Sequence, residues 1–234
     1  MKKVVFLIAF YAICSLTNLS AQSCDYYFPL KQGKGFVMQH YDPKGKPEGT
    51  SDSKVLTVST EGTVTTANIQ AVTYDKKQKE TGVAVYSLKC DGANIYIDIK
   101  SLIDPQTLLA YKDMEVKTEA SDLEMPSALS VGATLKDASL KMTVSSQGMN
   151  IAEVTMKILN RKIVAKESIT VAAGTYEAYK ITYDMEMNTK AMMMNMKHNR
   201  KIVEYFAVGV GVVKNEVIDE KGKTESSSQL LKVY

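Results

Sequence analysis

From residue 35 onward, apolar and polar side chains alternate in short runs, and the runs are rich in Val, Ile, Thr and Tyr. Period-2 alternation puts one side of an extended segment in a core and the other in water, and these residue types suit a pleated surface. The runs fall at residues 35–42, 53–60, 63–75, 81–91 and 94–99, then at 139–146, 149–162, 166–187, 200–220 and 225–234. Turn residues separate them: Glu61-Gly62, Asp91-Gly92, Gln147-Gly148 and Ala172-Ala173-Gly174. The last has Gly third, as in a hairpin built on a type I turn plus a bulge. The chain thus predicts a mainly β fold of roughly ten to twelve strands in an antiparallel meander. No stretch reads as an inter-domain linker.

One segment has the helical period. Residues 101–116 offer Asp104 as N-cap and Pro105 at the first helical position, with Leu108, Leu109 and Met114 as the apolar side. Residues 117–138 are mixed and interrupted by Pro126, and read as a long connection, a candidate cover for an opening.

The N-terminus has another pattern. Lys2 and Lys3 precede eleven residues, 4–14, that are apolar throughout, and Leu19-Ser20-Ala21 ends in a small residue. This predicts a signal peptide over residues 1–21, an exported chain, and a single β-rich domain over 22–234. The apolar run is too short for a membrane span, which needs about 20 residues, and no later segment approaches that length. Removing the leader leaves 27 basic and 26 acidic side chains, a balance that gives no reason to expect nucleic acid as a partner. Cys24 and Cys90 then remain, an even count in an exported protein, which favours a disulfide. The rival is lipid modification of Cys24, but the preceding Ala21-Gln22-Ser23 matches a lipobox poorly. The two futures differ in localisation: free in the periplasm or outside the cell, or tethered to the outer membrane.

The densest chemistry is six methionines within residues 185–196, close to His198, one of two histidines. Met185 and Met187 alternate in phase with Ile181 and Tyr183, and Met192, Met194 and Met196 alternate in phase with His198, across an expected turn at Asn188-Thr189-Lys190. Met193 falls on the polar side. Three readings stand. The stripe is the inner face of a sheet; or a groove for an apolar guest, since Met is flexible and polarisable; or a Cu(I) site, since thioether sulfur is soft. Against copper, same-face neighbours on a strand lie about 6.6 Å apart, too far for one ion to collect four ligands.

Other features are weaker. His40 and His198 lack the companions of a zinc site, and no nucleophile elbow accompanies them. Gly209-Val210-Gly211 has neither the third glycine nor the helix of a dinucleotide loop, so the glycines mark a bulge or a close backbone approach. The acidic residues of 112–124 lack calcium-loop spacing. Three stretches, 41–46, 74–79 and 218–223, share a β residue, Asp, a charged loop and Lys, and read as solvated hairpin tips, with a basic phosphate-binding loop as the alternative.

Residues 171–181 (VAAGTYEAYKI) and 203–217 (VEYFAVGVGVVKNEV) resemble the paired signature of an exported bacterial family known only as a domain of unknown function. Residues 26–50 and 86–111 resemble its opening strand and its cysteine-bearing segment. Tyr205-Phe206 stands where that family has Trp-Tyr. The resemblance implies a strongly curved antiparallel half-barrel with one helix on its concave side, similar to the periplasmic carriers of lipoproteins. It carries over no catalytic residues, cofactor or metal. The expected function is that of an exported, non-enzymatic binding protein. Met185, Met187, Met192, Met194 and Met196, with Leu108 and Leu109, would hold a lipid, an acyl-like molecule or a partner peptide. The alternative is an interaction protein whose concave face is filled by its own chain; less favoured are a small-molecule enzyme on the same scaffold and a copper protein.

Overall fold

The computed structural model describes residues 24–103, 111–191 and 194–234. The leader, and with it the 1–21 signal peptide, lies outside the described residues. A 3-10 turn, Cys24–Tyr26, precedes β1 (Gly35–Tyr41), β2 (Pro47–Glu61), β3 (Val64–Asp75), β4 (Glu80–Cys90) and β5 (Asn94–Ile97). A second 3-10 turn, Ile99–Leu102, leads to β6 (Glu115–Ala120) and β7 (Leu123–Pro126). Then come β8 (Ala138–Ser146), β9 (Met149–Val171), β10 (Gly174–Ala191), β11 (Met194–Ala207), β12 (Gly211–Ile218) and β13 (Thr224–Val233).

All 13 strands form one antiparallel sheet, in the order β6, β8, β9, β10, β11, β12, β13, β1, β2, β3, β4, β5, β7. The expected meander is therefore present, with more strands than the alternation suggested. Residues 117–138 are not one long connection, because they contain most of β6 and all of β7. Among the described residues no α-helix occurs. The start of the expected helix is the second 3-10 turn, capped by Asp98, whose carboxylate accepts the Lys100 N–H at 3.0 Å. Its end belongs to β6. Its centre, with Asp104, Pro105, Leu108 and Leu109, lies outside the described residues.

The edge strands β6 and β7 are consecutive in sequence and joined by two residues, Ser121 and Asp122. Three Cα steps of about 3.8 Å keep the two edges within about 11 Å of each other. A sheet this wide can meet that limit only by wrapping round. No ladder closes the wrap. Instead the connection after β7 lies against β9: Leu135 N–H donates to Arg161 O (2.8 Å) and Ile163 N–H to Ala133 O (3.0 Å). Arg161, 2% exposed, sends Nη1 to Glu124 O on β7 (2.8 Å) and to Lys136 O (2.7 Å). One guanidinium thereby stitches β9 to the opposite edge of the sheet.

Arg161 points inward because of a bulge. Thr182 pairs with Lys162 but Asp184 with Leu159, so Asn160 and Arg161 together face Tyr183, and Asn160 takes φ 57°. The extra residue exchanges the two faces. Met156 and Ile158 are buried before it, and Arg161 and Ile163 after it.

The chain's own segments fill the interior. Phe28 and Leu30 from the N-terminal stretch join Ile69, Leu88, Ile95, Ile163, Ile181 and Phe206 in the main core. Gly209 and Gly211, at the β11–β12 turn, have φ +77° and +95°. A Cβ there would meet Asp25 O at 3.7 Å and Tyr27 O at 3.5 Å, and Gly209 N–H donates to Tyr26 O. The two glycines thus mark a close backbone approach, as expected. Outside the wrap, the tip of the β9–β10 hairpin lies over β11–β13. Val171 and Ala178 pack with Val203, Tyr205 and Leu230, and Ala173 N–H reaches Leu230 O at 3.3 Å. Residues 202, 203 and 205–207 of β11 are therefore buried on both faces.

Cys24 and Cys90 form a disulfide across 66 residues, with Cα atoms 5.9 Å apart. The sulfur of Cys24 is thus engaged within the fold. Loop-closure entropy over this span corresponds to about 4 kcal/mol. Cys24→Ser/Cys90→Ser should lower the melting temperature by roughly 10 °C, measured by calorimetry. An unchanged melting temperature would show that the N-terminal stretch holds its place without the bond.

Candidate functional site

The methionine stretch sits where β6, β8, β9, β10 and β11 run side by side. The first row of paired residues across them is Val116, Val144, Ala152, Ala191 and Met194. The second is Thr118, Met142, Val154, Thr189 and Met196, and the third is Ala120, Leu140, Met156, Met187 and His198. The fourth is Ala138, Ile158, Met185 and Arg200. Directly paired residues share a face, so this face is apolar except at Thr118, Thr189, His198 and Arg200. The alternation of Met185, Met187, Met194, Met196 and His198 is as expected. The turn is not at Asn188-Thr189-Lys190, which pair with Lys197, Met196 and Asn195 inside the β10–β11 ladder. Their polarity reflects the outward positions of Asn188 and Lys190. Met192 and Met193 lie outside the described residues.

Burial divides the face. Leu140, Met142, Val144, Ala152, Met156 and Ile158 are buried beneath Ile99, with Ile103, Tyr111 and Leu123 packed alongside. Met185 and Met187 are half-buried against the same cluster. Met194 is 62% exposed and Met196 48%. The five methionines proposed as one site are thus not equivalent: two complete a core, two form its uncovered margin, and Met192 is not described. Leu108 and Leu109 lie outside the described residues. Met149 (66% exposed), opposite Ser146 at the β8–β9 tip, adds to the margin.

At the foot of this margin β11 extends beyond its neighbour. Its last pair with β12 is Lys201 with Ile218, so residues 194–200 stand free of β12. A surface groove of about 520 Å³ occupies the corner, lined by His198, Arg200, Asp219, Glu220, Lys221, Lys223 and Glu225, with Lys197, Asn199, Thr224 and Pro43. Arg200 holds Glu225 by two charge-assisted bonds, Nε at 2.5 Å and Nη2 at 2.9 Å. This depresses the Glu225 carboxyl pKa.

The three Asp-containing loops are one structure repeated. Asp42 accepts the N–H groups of Lys44 and Lys46, Asp75 those of Lys77 and Lys79, and Asp219 those of Lys221 and Lys223, all at 2.8–3.0 Å. Each carboxylate is turned back onto its own hairpin and the lysines point outward, which is the tip geometry expected.

Inside the wrap, a cavity of about 50 Å³ remains, lined by Tyr27, Phe28, Phe36, Ile69, Tyr86 and Leu88 with residues 210–212. Ligand pockets usually measure about 300–1,000 Å³. Among the described residues, the N-terminal stretch and the segment after β7 pack into the concave face; Leu108 and Leu109, expected there, lie outside the described residues. Glu204 also points in, accepting a long bond (3.4 Å) from the Tyr183 hydroxyl. Burial raises its carboxyl pKa, with Arg161 opposing the shift. Neither Arg161 nor Glu204 was singled out in the sequence. The available signal was the change of parity in residues 156–163, apolar at even positions and then at odd ones.

The histidines lie apart. His40 bonds the Ser51 hydroxyl at 3.0 Å, and burial lowers its pKa. His198 lines the groove. Among the described residues no group of three or more His, Cys, Asp or Glu side chains could hold a metal ion, and no helix is long and apolar enough to cross a membrane.

A protein-family model described as DUF3108-like matches residues 31–230. The chain belongs to that family. Two crystal structures share its fold. One, from Bacteroides fragilis, is of a protein described as exported and of YmcC-like fold: 19% identity, 90% of this chain, 100% of that one, TM-score 0.67. The other, from Parabacteroides distasonis, is of a protein described as a lipoprotein: 19% identity, 91% of this chain, 100% of that one, TM-score 0.69. No curated protein matches.

Glu204 gives a pH test. Its raised pKa means that the folded state holds a proton the unfolded chain has released. Its stabilising contribution is present below the ordinary value of 4.5 and is lost as pH rises through the folded value. Glu204→Gln should therefore gain on the parent protein in thermal melts as pH goes from 4 to 7. A gap independent of pH would refute the assignment.

Proposed function

We propose that this DUF3108-like protein is an exported, non-enzymatic binding protein that presents an apolar contact face at the margin of its wrapped sheet. The leader pattern of residues 1–21 and the descriptions of the two structural neighbours support export. Residues 22–234 then form a single half-barrel domain, similar in outline to the carriers of lipoproteins. The observation that carries the reading is the row Val144, Ala152, Ala191 and Met194, apolar from its buried end to its exposed one, with exposed Met196 beside it in a row that only Thr189 interrupts between Met142 and Met196. A face built as core and left uncovered on one side suits an apolar guest or partner. Flexible thioether side chains accept irregular shapes there. The contact lies at the margin and not in the interior, because the chain itself occupies the interior.

The filled interior also favours a second reading, an interaction protein without a small ligand. The two part on one measurement. Mature protein purified from its host and examined by native mass spectrometry should carry an adduct of lipid-like mass. Met194→Gln/Met196→Gln should lose most of that adduct with little change in melting temperature. Protein free of adduct, and indifferent to single-chain lipids added back, would leave the second reading.

A further inference from the structure

We propose that the groove at the foot of the methionine margin is the headgroup half of the same site, and that its ligand is a single-chain amphiphile with an anionic head. This rests on Met194 and Met196 being the apolar contact. Four side chains on one face of β11 grade from charged to apolar: Arg200, His198, Met196, Met194. Six residues at about 3.4 Å span about 20 Å. Of this the apolar part, Met196 to Met194, covers about 7 Å, room for the head-proximal part of one extended acyl chain, whose remainder would run on past Met194. Both histidine and arginine lie on the groove wall, and the methionines continue away from it.

The groove's charges are already sorted. Asp219 accepts the N–H groups of Lys221 (2.9 Å) and Lys223 (2.8 Å). Glu220 accepts the Asn199 N–H at 3.2 Å, and Glu225 holds Arg200. All three acids are thus engaged by the protein, and the Arg200 Nη1 group is left over. Lys221 and Lys223 are exposed and have no ion-pair partner among the described residues. The free donors at the foot of the stripe are therefore cationic. A carboxylate or phosphate head would meet Lys221, Lys223 and Arg200 Nη1 while its chain lies along Met196 and Met194. An uncharged head would leave those cations without a partner.

The test compares palmitate with uncharged monopalmitoyl glycerol, each titrated below its aggregation limit into the mature protein by calorimetry. Palmitate should bind at least tenfold more tightly, and the advantage should shrink as salt is raised. Lys221→Gln/Lys223→Gln should bring the two affinities within threefold, and Met194→Gln/Met196→Gln should weaken both. Equal affinities in the parent protein, or a preference that survives the lysine changes, would overturn the headgroup assignment and leave the apolar face standing. Binding of neither chain would remove the apolar face, and this inference with it. Binding of inorganic phosphate alone, sensitive to the lysine changes, would make the groove a simple anion site and overturn the inference.

Discussion

Two residues, Ser121 and Asp122, constrain the whole molecule. They join the outermost strands of a 13-stranded sheet, and the sheet has to bend until its edges meet. Bending makes a concave side, and a concave side of this width has to be filled or left open. The protein fills it with the stretch from Cys24 to Leu30 and the connection after β7. Arg161 then closes the seam through two backbone carbonyls. Carbonyls at an irregular seam lack ladder partners and would be costly to bury alone. A guanidinium satisfies two with one side chain.

The same logic explains why the apolar surface sits at the margin. A third segment, the connection between β5 and β6, covers β8 and β9, where Ile99 and Tyr111 pack with the cluster that holds Met142 and Met156. At the far end of β11, Met194 and Met196 stay exposed. Sheet register carries the apolar rows onward all the same, since the inner positions of β11 are in phase with those of β10. The boundary between core and contact surface is therefore drawn by the overlying chain and not by a change in strand composition.

That boundary limits what the sequence could reveal. Strand identity was legible, because alternation is local: Met185 and Met187 do lie on one face, as do Met194 and Met196. Gly209 and Gly211 were legible as a close approach, but not what approaches them, since Asp25 and Tyr27 lie more than 180 residues away. The turn at 188–190 was misplaced because Asn-Thr-Lys looks like a loop, while the ladder runs on through them to the pair of Ala191 with Met194. Residues 117–138 hid β6 and β7 because a six-residue and a four-residue strand give little periodic signal. Arg161 was hidden by a bulge, which turns a charged residue inward without changing the composition around it. Which methionines stay uncovered depends on chain folded over them from elsewhere, and no local pattern encodes that.

β1 and β13 are neighbours, so the first and last strands of the sheet pair with each other, and Gly35 exchanges both backbone hydrogen bonds with Tyr234. This ties completion of the sheet to the arrival of β13. Until β13 is in place, β1 lacks one partner and β12 lacks another. The strands between them can form hairpins with their sequence neighbours early, because those contacts are local. The joint between β1 and β13 spans nearly the whole described chain, so it acts as a latch that only a late, long-range contact can close.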